Sequence, residues 1–271
     1  MYNPLQVTGY QLSPNTEDSF HLLQTRKISK RILLTVAIFT LLLIFGHTTT
    51  TAGELPFKDK ERLEFSLKWI GLVGGRAVIE LKRQPSEDTK ERRYLIKAVL
   101  RTVAFADVLF KVRDEFSSIV TVNSQNFNPE WYEVSQKEKD YRYQKKIDYT
   151  RIEEKEPDLQ NPLSALFFLR LKELKVGEVM TVPVHTHGKI YHVKVSTISR
   201  EPLKIYGKTF QTILVDVSLE GEKLKMSSIQ IPGLKIWFSD DKNRIPLFMK
   251  ANTSIGPITV LLTNRGEFFN R

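Results

Sequence analysis

The chain has 271 residues, 41 Lys plus Arg against 31 Asp plus Glu, a formal net charge of +10 and no cysteine. That length can bury a real core in one large or two small domains, and 41% apolar with 27% charged residues describes a globular protein, not a disordered one. The missing cysteines exclude a disulfide framework, a thiol nucleophile, a Cys zinc site and an acylated lipoprotein cysteine, while the excess positive charge points to anionic partners.

Residues 1–25 are polar and without apolar periodicity. Arg26, Lys27, Lys30 and Arg31 then precede the apolar run Ile32–Phe45, which leads to the small residues Thr50, Thr51, Ala52 and Gly53. This order is that of a secretory signal cut before Gly53. An uncleaved anchor is the competing reading. The strongly apolar run spans only about 21 Å at ~1.5 Å per residue, short of the ~30 Å hydrocarbon core, yet Ile32 to Gly53 carries no charge and is long enough to cross. Both readings put the rest of the chain in the periplasm, free or anchored in the inner membrane and facing the periplasm. The expected organisation is a basic cytoplasmic-side segment 1–31, a signal or anchor 32–52, and an exported β domain 53–271. The exported part keeps 37 basic and 29 acidic residues, so the basic character belongs to the domain.

Period-two alternation then dominates. Leu63, Phe65, Leu67 and Trp69 alternate with polar residues, as do Ala77, Ile79 and Leu81 with Glu80 and Lys82, and Tyr94, Ile96, Ala98 and Leu100 with Lys97 and Arg101. Such runs are strands with one buried face. Gly71, Gly74 and Gly75 mark a hairpin with room for a bulge, and Gln84–Lys90 a further turn. Strands follow at 116–122, 131–135, 141–149, 179–184, 190–198, 209–219, 234–238, 246–252 and 258–263. Turns are read at 123–129, Gly188-Lys189, Gly207, Gly221 and 240–243. Many short strands joined by tight turns predict a mainly β fold, an antiparallel curved sheet or barrel-like arrangement. The exception is one short apolar helix at about 161–175, with Asn161 as N-cap, Pro162 in the first turn and Gly177 at the exit. Its apolar surface predicts burial against the concave face of the sheet.

The order of landmarks resembles an exported bacterial domain-of-unknown-function family, number 3108. The pieces are Leu63-x-Phe65-x-Leu67-x-Trp69-x-Gly71, Gly75-x-Ala77-x-Ile79-x-Leu81, Arg113-Asp114-x-Phe116-Ser117-Ser118, Pro162-Leu163-Ser164-Ala165-Leu166 with Leu169-Arg170, Ile236-Trp237-Phe238-Ser239-Asp240-Asp241 with Arg244-Ile245-Pro246, and Ser254-x-Gly256-x-Ile258-x-Val260-x-Leu262. The resemblance covers about residues 54–262. It implies an exported, mostly β protein and supplies no catalytic residues.

Candidate chemistry is sparse. His185, His187 and His192 are three of five histidines. Spacing i, i+2 with a third across a hairpin suits zinc or copper, against the plainer reading of an exposed hairpin end. Lys137, Lys139, Arg142, Lys145 and Lys146 interleave with Tyr141 and Tyr143, a pattern for a polyanion or lipid headgroups or for the solvated face of a half-buried strand. Asp240-Asp241 reads as a turn and Arg113-Asp114-Glu115 as a salt-bridge site. Serine nucleophile, phosphate-loop and His-Glu-x-x-His signatures are missing, so an enzyme is disfavoured and no cofactor is implied. Phe65, Trp69, Phe116, Phe167, Phe168, Trp237 and Phe248 are of the right type to line an apolar ligand cavity, or to form a closed core. The expected function is a non-catalytic cell-envelope protein that binds or carries a lipid, glycolipid or other amphiphile. Its expected partners are an envelope lipid or anionic polymer and, for an uncleaved anchor, the inner membrane, with no nucleic acid. The alternatives are an envelope scaffold module and a hydrolase without a recognisable motif.

Overall fold

A computed structural model describes residues 54–86, 91–123, 126–153, 155–219 and 233–264, and the backbone alone of 224–226 and 229–231. The expected signal or anchor and the Gly221 turn lie outside these residues. No helix among the described residues is long and apolar enough to cross a membrane.

The alternating runs become strands β1 (Lys60–Trp69), β2 (Leu72–Gln84), β3 (Arg92–Thr102), β4 (Arg113–Val122), β5 (Phe127–Glu138), β6 (Tyr141–Asp148), β7 (Val179–Thr186), β8 (Lys189–Ile205), β9 (Lys208–Leu219), β10 (Leu224–Met226), β11 (Ile229–Ile231), β12 (Leu234–Ser239), β13 (Pro246–Thr253) and β14 (Gly256–Leu262). Apart from the small β10–β11 pair, twelve of them form one sheet ordered β6-β5-β4-β3-β2-β1-β14-β13-β12-β9-β8-β7. Every pairing in it is antiparallel, and β1 with β14 joins the two halves. The fold is therefore mainly β, a curved sheet that is not closed.

The curvature follows from the core. Ile96 of β3, Val120 of β4 and Val134 of β5 share one apolar cluster with Val182 of β7, Val195 of β8 and Phe238 of β12. Strands so far apart in the order can share a core only if the sheet rolls until its halves face each other. A second cluster gathers Leu63, Phe65, Ile205, Ile245, Leu247 and Leu262. The edge strands β6 and β7 approach without pairing. Gln160 donates its amide to Pro183 O at 2.9 Å and accepts from His185 N at 2.8 Å, giving β7 a one-residue parallel partner at Val184. Tyr149 Oη donates to His185 O at 3.2 Å from the end of β6. Covering an edge in this way blocks strand addition.

Among the described residues two α-helices accompany the sheet, α1 (Ala104–Phe110) and α2 (Pro162–Leu171). The second is the expected one, and its start is built as read. Asn161 Oδ1 accepts from Leu163 N and Ser164 N, and Ser164 Oγ accepts from Asn161 N, completing a capping box ahead of Pro162. Its end is earlier than expected, because Lys172 is already extended. There the Lys172 ammonium lies 4.2 Å from the Phe168 ring and pairs with Asp158 at 3.2 Å. Leu174 is buried from the chain beyond the helix, and Gly177 belongs to the following turn, its amide on Thr197 O.

Candidate functional site

Among the described residues, apolar side chains crowd the inside of the roll. α2 presents Leu163, Phe167 and Phe168 to the main cluster, and Phe57 packs edge-on against Tyr94, Phe127 and Phe167 at centroid distances of 5.4, 6.4 and 5.7 Å. Arg170, 0% exposed, crosses this interior. Its guanidinium holds Glu61 through two contacts of 2.5 and 3.0 Å, donates to Pro56 O and Asn243 O, and lies over the Phe57 and Phe167 rings. A cation so fully satisfied is a structural tie.

The residues expected to line one cavity are accordingly dispersed. Phe167 and Phe168 lie in the main core, and Phe116 packs at its margin. Phe65 lies in the second cluster with Phe248 beside it. Trp237 tilts onto Phe248 at 5.2 Å and donates Nε1 to Glu201 at 2.7 Å, on the face opposite Ile236 and Phe238. Trp69 stands at the end of β1 among residues of α1. Alternation assigned each residue a face; it could not say that the faces belong to different compartments.

The three histidines are also separated by their partners. His187 sits in the β7–β8 turn at φ 50, followed by Gly188 at φ 77, a conformation that matches a two-residue hairpin turn. It has thus left the strand face it was expected to share with His185, and stacks on Tyr143 at 5.3 Å. His185 meets Tyr149 edge-on, and burial with Lys145 nearby holds its imidazole below the usual value. His192 Nε2 lies 2.9 Å from Glu156. Among the described residues no group of three or more ligand-type side chains is arranged to hold a metal.

Other sequence features take plain structural roles. Asp241 Oδ1 accepts from Asn243 N and Arg244 N in the β12–β13 turn, and Asp240 pairs with Arg200. Arg113 pairs not with its neighbours but with Asp107 of α1. Asp114 is buried, which pushes its carboxyl up, and accepts from Lys137 N. In the basic β6 segment Ile147 is buried while Arg142, Lys145 and Lys146 are exposed. An open cleft of about 560 Å³ is lined by polar side chains, including Glu91, Thr121, Glu130, Lys155 and Glu156. Glu130 is held by Arg93 at 2.6 Å and by the Thr121 hydroxyl, and the Thr150 hydroxyl donates to Asp148 at 2.6 Å, so both cleft threonines are tied to carboxylates.

The distinctive surface is at α1, a helix the sequence reading did not foresee. Here the chain exposes what it elsewhere hides. Of eleven large apolar side chains exposed among the described residues, six belong to this end: Ile70 of the β1–β2 turn, Leu72 and Val73 at the start of β2, and Val108, Leu109 and Phe110 of α1. Val108 is 85% exposed. The patch is held from below. Trp69 stacks on Phe105 at 5.9 Å, meets Phe110 edge-on at 5.2 Å, and donates Nε1 to Ile255 O at 2.7 Å. A Cβ on Gly74 would lie 3.1 Å from Ala106 Cβ, so a glycine there lets α1 approach β2. Asp107 anchors the helix, accepting from Arg113 at 2.6 and 3.0 Å and from the Thr102 hydroxyl at 2.7 Å. These bonds, with Arg113 contributing most, lower its carboxyl to about 2.

Around the patch the charge is one-sided. Segments 68–76, 101–113 and 137–142 carry eight basic residues (Lys68, Arg76, Arg101, Lys111, Arg113, Lys137, Lys139, Arg142) against Asp107, Glu138 and Asp140. The last segment joins the patch where Lys139 N donates to Lys111 O at 3.2 Å. Register adds an ordered element: Arg76 pairs with Arg101, and Arg101 with Arg113. The three arginines thus stand in one row across β2, β3 and β4. Their separation in sequence, at 76, 101 and 113, gives no sign of this row.

A family model described as a protein of unknown function (DUF3108) matches residues 64–263. The crystal structure of a beta-barrel-like protein of domain of unknown function DUF1849 from Brucella abortus is similar at 10% identity, covering 75% of this chain and 95% of that one, with a TM-score of 0.40. No curated protein matches the chain significantly.

Proposed function

The chain belongs to the DUF3108 family, and from the surface just described we propose that it is a non-catalytic cell-envelope protein that binds an amphiphile at the α1 end of its sheet. The observation that carries this is the concentration of exposed apolar side chains in 70–73 and 108–110. A monomeric soluble surface scatters such residues, and a contiguous cluster rimmed by polar ones is a binding feature. Export is supported by the basic segment and apolar run before residue 53. The apolar cluster packed inside the roll, Phe57, Phe167 and Phe168 among it, favours binding on the outside over carriage within. A hydrolase finds less support, because in the cleft the Thr121 hydroxyl and Glu130 are engaged with each other and with Arg93, and Thr150 with Asp148.

Trp69 provides the test, since it lies beneath the patch. Adding micelles of an uncharged detergent to the full chain should blue-shift its emission, and the shift should be missing in Trp69→Phe. An unchanged spectrum in the parent chain would remove the proposal.

A further inference from the structure

We infer that the amphiphile met by this end is the surface of an anionic lipid bilayer, with α1 and the β1–β2 turn entering the acyl boundary and the arginine row lying at the headgroup phosphates. This rests on the amphiphile reading above and names its partner.

Two independent observations carry it. The first is the form of the apolar feature. Ile70, Leu72 and Val73 at the β1–β2 end are joined by Val108 and Leu109 of α1 as exposed side chains, whereas a single small ligand requires a concave pocket. An exposed apolar end is complementary to a plane of lipid, into which amphipathic elements settle by about 5–10 Å.

The second is the row Arg76–Arg101–Arg113. Like charges directly opposite on neighbouring strands destabilise a sheet, and strands lie only about 4.8 Å apart. Internal compensation is partial. Asp107 neutralises Arg113 at 2.6 Å, Glu115 reaches Arg101 only at 3.9 Å, and Arg76 has no ion pair among the described residues. An array of guanidinium groups with unmet charge is suited to phosphate oxygens, which it binds in forked pairs. Arg76 follows Val73 by three residues, about 10 Å along the strand. That offset matches the depth separating acyl chains from headgroups. Lys111, next to Phe110 at the exit of α1, adds a further exposed positive charge on the same rim.

The absence of cysteine in the chain permits a local readout in the full-length protein. An environment-sensitive fluorophore is placed on Val108→Cys, and on Lys242→Cys in the β12–β13 turn as a control. Vesicles of phosphatidylcholine alone are compared with vesicles containing phosphatidylglycerol. The Val108 label should brighten with anionic vesicles at least about tenfold more tightly than with neutral ones, lose this preference in high salt, and weaken about fivefold for each of Arg76→Gln and Arg101→Gln. The Lys242 label should not respond. Equal response to neutral and anionic vesicles overturns the inference, as does brightening without lipid as protein concentration rises, which would make a second copy the occupant. A Trp69 shift in uncharged micelles with a silent Val108 label on every vesicle overturns the anionic-surface inference alone; silence of both probes overturns the amphiphile reading with it.

Discussion

Two short apolar helices decorate this sheet, and they are treated in opposite ways. α2 begins with a capping box and a proline, buries Leu163, Phe167 and Phe168, and sends Arg170 to Glu61. α1 begins at Val103 with no side-chain cap, forces Ala104 to φ 52, and leaves Val108, Leu109 and Phe110 in the open. Apolarity alone does not assign a helix to the core. What separates the two is satisfaction of polar groups. The first turn of α2 sits in a dry interior, where an orphan amide costs about 1–3 kcal/mol, so every donor there finds a partner. The first turn of α1 is reachable by water and needs none.

Arg170→Met should cost about 3–5 kcal/mol in urea unfolding, because Glu61 is left charged and buried; adding Glu61→Leu should recover much of the loss. A cost for Arg170→Met below about 1 kcal/mol would mean that the tie is dispensable and the interior wetter than described. Asn161→Ala should follow, with about 1–2 kcal/mol for the lost cap, measured the same way, and no change at all would deny the capping box a role. The pair Val108→Asp and Leu109→Asp tests the weak side. Stability should move by no more than about 0.5 kcal/mol, while the Trp69 response to micelles disappears. A large loss of stability would place α1 in the core with α2 and erase the contrast.

The sequence made the sheet legible because each strand keeps its own account. Tyr94, Ile96 and Ala98, or Trp237 between Ile236 and Phe238, alternate whatever lies beyond them, so strand positions, most turns and the start of α2 could be read. Features that depend on partners could not. Leu174 extended the apparent helix past Lys172 because burial reads the same from a helix or from the extended chain after it. Phe65 and Trp69 share a face of β1 but stand about 13 Å apart along it, one in the core and the other under α1. The seven residues of α1 are too few for a 3.6-residue period, and Val103 gives no cap signal. Arg76, Arg101 and Arg113 become neighbours only once β2, β3 and β4 are in register.

The unpaired meeting of β6 and β7 has a mechanical meaning. A closed tube of strands has its girth fixed by the number and stagger of its staves. This sheet is a scroll, and a scroll has a free margin. Along that margin the ladder is replaced by Gln160, by the Tyr149 hydroxyl on His185 and by the ring of Tyr143 on His187. Loosening those few contacts would part the two edges while every pairing within the sheet stays whole, so the margin is the one line along which this wall differs from a closed barrel.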